Sequence, residues 1–240
     1  MTEPNYVFAP AAVPAVAVQG TTGRFPVRRI FCVGRNYAAH AREMGKDPDR
    51  EPLFFFTKPA DAIVAGGATI PYPPLTSNLH FEGEFVVAIG KAGADIPPGG
   101  ALAHVFGYAT GNDLTRRDLQ NVAKEMARPW DWAKAFDRSA VCGPIARAND
   151  IGHQAAGTIR TLVNGVEKQR GDLADMIWPV ADVVAFLSQA VRIEPGDLIF
   201  TGTPAGVGAL QPGDVCTVEI DGLAPASVTI APFASVAPTR

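Results

Sequence analysis

Glycine and proline interrupt this chain from end to end: 24 glycines and 21 prolines are spread over its 240 residues. Proline breaks a helix interior, and glycine weakens helix and strand interiors alike. A chain interrupted this often builds short elements joined by many turns, which leans toward β structure. The elements do not alternate strand and helix as in a doubly wound fold, so the expectation is an α+β domain that is mainly β. A domain of this length buries a large core without covalent staples. Residues 1–27, rich in proline and alanine, read as an N-terminal arm, and residues 28–240 as a single domain.

Short apolar runs bounded by turn signals predict strands over 29–33, 81–89, 107–113, 158–164, 197–201 and 214–220. Helices are expected over 37–44, with Asn36 as cap and Gly45 past the end, over 115–126, with Thr115 as cap and Pro129 beyond, and over 180–188.

Several function classes are excluded early. The formal net charge is −3 and no basic block is present, which argues against a nucleic-acid partner. The three cysteines, Cys32, Cys142 and Cys216, form no C-x-x-C pair and read as reduced, buried thiols. The first residues lack a signal-peptide pattern, and no run approaches the roughly 20 apolar residues of a membrane span. A soluble, cytoplasmic protein is the expectation. G-x-S-x-G, H-E-x-x-H and P-loop motifs are absent, and the four histidines never fall at zinc spacing.

Three segments carry chemistry. In Phe81-Glu82-Gly83-Glu84-Phe85, the two glutamates fall on one face of a strand. They are either a solvated face or two ligands of a hard divalent cation, which prefers oxygen and relieves their repulsion. Asp113 ends the 107–113 strand, where it serves as a third carboxylate or as a helix cap. Arg117 and Gln120, three apart on the next helix, either bind polar groups of a substrate or form a basic surface with Arg116. His80 shares the glutamates' face and reads as support for the site rather than as a ligand. In the second segment, His40 and Glu43 lie three apart on a short helix, as a surface pair or as a general base with its orienting carboxylate. The third, Thr201-Gly202-Thr203-Pro204-Ala205-Gly206-Val207-Gly208, is either an ordinary turn or a loop whose backbone N–H groups and Thr203 approach a ligand.

Taken in order, these segments resemble the fumarylacetoacetate hydrolase family. Its marks are Val33-Gly34-Arg35-Asn36-Tyr37, Phe56-Thr57-Lys58-Pro59, Glu82-Gly83-Glu84, Asn112-Asp113, Lys134, Asp175-Met176-Ile177 and the 201–208 loop. The resemblance implies a mixed β-roll with a short lid helix, assembled as a homodimer. It implies Mg²⁺ or Mn²⁺ held by Glu82, Glu84 and Asp113. His40, Glu43 and Lys134 match catalytic positions, and Arg117, Gln120 and Thr203 match positions that contact substrate. The segment 25–34 is most similar to that of bacterial fumarylpyruvate hydrolases. The implied activity is therefore hydrolysis of a C–C bond in an acylpyruvate, fumarylpyruvate giving fumarate and pyruvate, in the breakdown of aromatic compounds. Decarboxylation or tautomerisation of a 2-oxo acid such as oxaloacetate is the alternative, and a non-catalytic 2-oxo acid binding protein is a third. Residues 34–45 are expected to order over a bound 2-oxo acid.

Overall fold

A computed structural model describes residues 5–43 and 52–233, without the side chains of residues 41–43. The expected Met44 and Gly45 at the end of the first helix lie outside the described residues.

Among the described residues the fold is mainly β, built around one mixed sheet. Its strands run Phe55–Lys58, Arg29–Val33, Asp197–Phe200, Gly83–Ile89, Val105–Asp113, Ala140–Cys142 and Ile63–Ala65, with Ala146–Arg147 paired beside Val105–Asp113. The pair Arg29–Val33 and Asp197–Phe200 is parallel, as is Ala140–Cys142 with Ile63–Ala65, and the central pairs are antiparallel. A five-stranded sheet runs Val166–Asp172, Thr158–Val163, Val215–Ile220, Ala226–Ala231 and Ala68–Pro71.

The period-2 alternation of side chains sorts the large sheet into two faces. Phe85, Val87 and Ile89 pack with Ile159 and Val218 of the second sheet and with Val183, Val184 and Leu187 of the helix Val180–Ala190. Val86, Ala88, Ile30, Cys32, Leu198 and Phe200 face the other way. There they meet Val16, Val18, Phe25 and Val27, from or beside the N-terminal hairpin of Ala15–Ala17 and Arg24–Pro26. Residues 15–27 thus enter the core. At about 25 cal/mol per Å² of apolar surface, each of these side chains contributes roughly 1.5–3 kcal/mol before entropy is counted.

Gly83 makes the approach of the two sheets possible. A Cβ there would sit 2.3 Å from Thr161 Oγ1 and 3.0 Å from a Val218 methyl. The three cysteines are buried and unpaired, as expected.

Three local expectations are corrected. The strand predicted over 81–89 is two strands, Leu79–Phe81 and Gly83–Ile89, parted at Glu82. Glu82 donates its N–H to Asn112 Oδ1 (3.0 Å). Thr115 does not cap a helix: Thr115–Arg116 is a short strand against Leu79–Phe81, the helix is Arg117–Glu125, and the Thr115 hydroxyl donates to the Asp113 carbonyl. Asn36 does not cap the first helix, Ala38–Glu43. Its amide donates to the carbonyls of Trp178 (3.0 Å) and Thr201 (2.9 Å) and its Oδ1 accepts from Trp178 N–H (2.7 Å).

Candidate active site

The strands Gly83–Ile89 and Val105–Asp113 are paired so that Glu84 stands opposite Gly111, and Asp113 N–H donates to the Glu82 carbonyl (2.8 Å). Alternation then puts Glu82, Glu84 and Asp113 on the face of Val86 and Ala109, at the strand end away from the hydrophobic packing. One oxygen from each of these buried carboxylates lies within 4.8 Å of the others. Asp113, read from sequence as either cap or third carboxylate, is the third carboxylate.

Three cations are folded into this cluster. Lys134, at the end of the one-turn helix Asp131–Lys134, donates from Nζ to Glu82 Oε2 and Asp113 Oδ2, both at 2.6 Å. Arg117 opens its helix and donates to Glu82 Oε1 and to Gln120 Oε1. It also reaches Nδ1 of His80 (3.4 Å), whose other ring nitrogen is 3.0 Å from Asn78 Oδ1. Arg116, Arg117 and Gln120 are all buried, so the basic-surface alternative does not hold. Lys58 stands opposite Ile30 on the same sheet face, 2.7 Å from Asp113 Oδ1, and donates to the carbonyls of Lys134 (2.5 Å) and Leu114 (3.1 Å).

These charges divide the carboxylates unequally. Burial opposes ionisation of Glu82, but Lys134, Arg117 and His40 outweigh it and hold its carboxyl well below the usual range. Burial raises Glu84, and the neighbouring Asp113 and Glu82 raise it further, well above the usual range. Burial disfavours the charged form of Lys134, but Asp113 and Glu82 more than offset it, so its pKa is raised. Lys58 is the reverse case, lowered because its burial outweighs Asp113.

A divalent cation fits this donor set. All three groups are hard oxygen donors, as Mg²⁺ and Mn²⁺ prefer. Glu84 accepts Gly202 N–H (2.8 Å), and burial with the like charges of Asp113 and Glu82 outweighs the pull of Lys134 on it. Asp113 meets Lys58 Nζ through Oδ1 at 2.7 Å and Lys134 Nζ through Oδ2 at 2.6 Å, so a bound metal would share its oxygens with these two cations. Glu82, Glu84 and Asp113 form a site able to hold the metal.

The 201–208 loop acts first on the carboxylates. Its Gly202 N–H binds Glu84, and Gly202, at φ +95°, lies so close to Asn36 that a Cβ would be 2.9 Å from the Asn36 Cβ. The Thr203 hydroxyl accepts from Gln169 Nε2 (2.9 Å). His40 is buried on Ala38–Glu43, and a positive charge there would lower Glu82. Glu43 lies on the same helix at the edge of the described residues, and its side chain lies outside them.

Two supporting residues carried no assigned role from the sequence, where Lys58 entered only within the family mark Phe56-Thr57-Lys58-Pro59. Lys58 had a signal: it follows Phe56 at strand spacing in an apolar run, so it faces the sheet's interior. Gln169 had none, since Val166–Asp172 is polar along its length. Yet Gln169 is buried, and its Oε1 accepts from Gly83 N–H (3.1 Å), between the two glutamates, and from Thr161 (2.9 Å).

Known proteins share this architecture. The fumarylpyruvate hydrolase of Ralstonia sp is 43% identical over 191 residues, covering 79% of this chain and 99% of that protein. The oxaloacetate tautomerase YcgM of Escherichia coli is 38% identical, covering 85% and 93%. The crystal structure of fumarylpyruvate hydrolase from Pseudomonas aeruginosa, in complex with Mn²⁺ and pyruvate, superposes with a TM-score of 0.92 at 53% identity, covering 95% of this chain and 99% of that one. The fumarylacetoacetate (FAA) hydrolase C-terminal family matches residues 29–231, and with these relatives, the mixed sheet and the acidic triad, the chain belongs to the fumarylacetoacetate hydrolase family.

Proposed function

We propose that this protein is a Mg²⁺- or Mn²⁺-dependent acylpyruvate hydrolase that cleaves fumarylpyruvate to fumarate and pyruvate. The observation that carries the reading is the buried Glu82–Glu84–Asp113 cluster with Lys134 bonded to two of its members. Similarity to a fumarylpyruvate hydrolase and to a Mn²⁺–pyruvate complex of another supports the substrate and the metal.

Glu82, Glu84 and Asp113 would hold the cation, which when bound supplies Lewis acidity toward the 2-oxo acid end of the substrate. Arg117, steadied by Gln120 and Glu82, offers a fixed guanidinium for the carboxylate of that end. Thr203, anchored by Gln169, lines the substrate from the loop side. His40, oriented by Glu43, takes a proton from water, and the water oxygen adds to the distal carbonyl. The C–C bond then breaks with its electron pair passing to the pyruvate fragment as an enolate. Lys134, kept charged by Glu82 and Asp113, stands where that negative charge develops. Protonation of the enolate carbon gives pyruvate, and the acyl group leaves as fumarate.

The same reading takes Ala38–Glu43 as a lid that orders over substrate. Hydrogen exchange of residues 36–43 should slow when oxalate and Mg²⁺ are added, and unchanged exchange removes the lid. The cytoplasmic setting and the homodimer belong to this proposal, and sedimentation checks the dimer.

The deciding experiment offers purified protein fumarylpyruvate, acetylpyruvate and oxaloacetate with Mn²⁺ and identifies the products. Stoichiometric fumarate and pyruvate from the first is expected. Turnover of oxaloacetate alone would replace the hydrolase with the tautomerase or decarboxylase chemistry of other relatives.

A further inference from the structure

The helix Arg117–Glu125 turns its polar face inward. Arg117 and Gln120 are buried on the side of the carboxylate cluster, while Val122 is 47% exposed and Met126, one turn on, is 53% exposed. Leu119, Val122 and Met126, at spacings of three and four, form one outward stripe. Trp132, 72% exposed, stands beside it. Leu119, Val122, Ala123, Pro129 and Trp132 line a groove of about 550 Å³, with one charge of each sign from Arg128 and Asp131. An outward apolar stripe bordering an aromatic groove marks an interaction surface.

The same chain exposes a second apolar element. In the N-terminal arm, Tyr6 is 61%, Val7 99% and Phe8 82% exposed. A hydrogen bond from Val27 N–H to the Pro14 carbonyl (2.8 Å) fixes where the arm leaves the body. Residues 5–14 belong to no strand and contain Pro10 and Pro14, which favour an extended, polyproline-like course. At about 3.1 Å per residue such an arm reaches roughly 30 Å. It loses little entropy on docking, and proline-rich segments dock in aromatic-lined grooves. Residues 5–14 carry no charge, which matches a groove whose two charges cancel and argues against an acidic or basic partner. Within one chain both elements stay exposed, so a contact between them joins two copies.

We propose that Tyr6, Val7 and Phe8 of one protomer dock against the apolar stripe and groove of a second copy, and that the two copies exchange arms about a twofold axis. Symmetry makes the contact twice. At roughly 100 Å² for each large side chain covered, six to a contact, the exchange buries about 1,200 Å², the lower edge of a stable interface. The inference rests on the homodimer of the proposed function, to which it gives a contact surface, and not on the reaction. It also braces, from outside, the helix from which Arg117 reaches Glu82 and Gln120.

Sedimentation equilibrium on three forms of the full chain tests it: the native protein, an arm variant (Val7→Ser with Phe8→Ser) and a groove variant (Val122→Ser with Trp132→Ser). All four side chains are exposed, so each protomer should fold, which circular dichroism checks. The native protein should be a dimer, and each variant should raise the dissociation constant by at least about 100-fold. Mixing the two variants is the sharper test. Each variant alone has no intact contact, whereas a mixed dimer joins the intact arm of one to the intact groove of the other and keeps one contact of two. The mixture should therefore associate at least about tenfold more tightly than either variant alone. A native dimer that neither variant weakens, or a mixture no more associated than its parts, overturns the arm exchange and leaves the homodimer standing. A monomeric native protein overturns both.

Discussion

The carboxylate cluster and the helix that carries His40 meet at Glu82, yet they are built in opposite ways. The cluster stands on adjacent strands of the central sheet, and each member is held by others: Lys134 bridges Glu82 and Asp113, Gly202 binds Glu84, and Gln169 fixes the backbone between the glutamates. The described part of the His40 helix is six residues, Ala38–Glu43, and it belongs to no strand pair of that sheet. It is tied in by Asn36 through its hydrogen bonds to residues 177, 178 and 201, and by Tyr37 through its bridge to Met176. For the proposed reaction, the carboxylates that would hold a metal stand on strands of the central sheet, and the group that would reach a water stands on a helix outside it.

The cluster should fail completely and the helix only in part. Chelation, or Glu84→Ala, should lower turnover by about 10³-fold or more, since the Lewis acid is lost with its ligands. Mn²⁺ should restore the chelated protein but not the variant. Steady-state rates before and after metal return decide this, and full activity in chelator ends the metal reading.

His40→Ala should lower kcat by roughly 10²–10⁴-fold, the usual contribution of a positioned base. Mn²⁺ affinity should hold within a few-fold, because the candidate ligands are Glu82, Glu84 and Asp113 and not His40. Parallel losses of metal binding and turnover would move His40 into the cluster and erase the contrast.

A smaller effect is expected beneath the cluster. Gln169→Leu leaves Gly83 N–H and Thr161 without their buried acceptor and should cost about 1–3 kcal/mol of stability, read by denaturant unfolding. Activity should fall through KM more than through kcat, since Thr203 loses its anchor. A variant as stable as the native protein would show that the strand needs no such support.

The smallest effect is a pH dependence at the rim. Burial, with Arg117 and Arg35 adding to it, pushes the Lys124 ammonium down to about 8 from an ordinary value of 10.5. The folded protein therefore binds fewer protons than the unfolded chain between these values, and stability from this group rises with pH through that window. Denaturant unfolding from pH 7 to 9.5 should show that rise in the native protein and a flatter profile in Lys124→Met.

Much of this was legible in the sequence, for identifiable reasons. The strand at 29–33 and the helix beginning at Val180 appear where the hydrophobic pattern placed them, because burial is what that pattern encodes. Glu82 and Glu84 were found because period-2 alternation gives them one face, although alternation alone did not reveal the break at Glu82. That break depends on Asn112, whose side chain takes the place of a strand partner. Thr115 was misread because a threonine before a polar, helix-forming run looks like a cap, and only its pairing with His80 shows it to be a strand residue. Lys58 and Gln169 reach the site through contacts more than 50 and 80 residues away in sequence, which no local pattern records.

If one divalent metal sits among Glu82, Glu84 and Asp113, anomalous diffraction at the manganese edge, from crystals grown with Mn²⁺ and oxalate, will locate it. A single strong peak is expected at about 2.1 Å, the coordination distance of a small divalent cation, from an oxygen of each of the three carboxylates. A peak elsewhere, or none at full Mn²⁺ occupancy in solution, would contradict it.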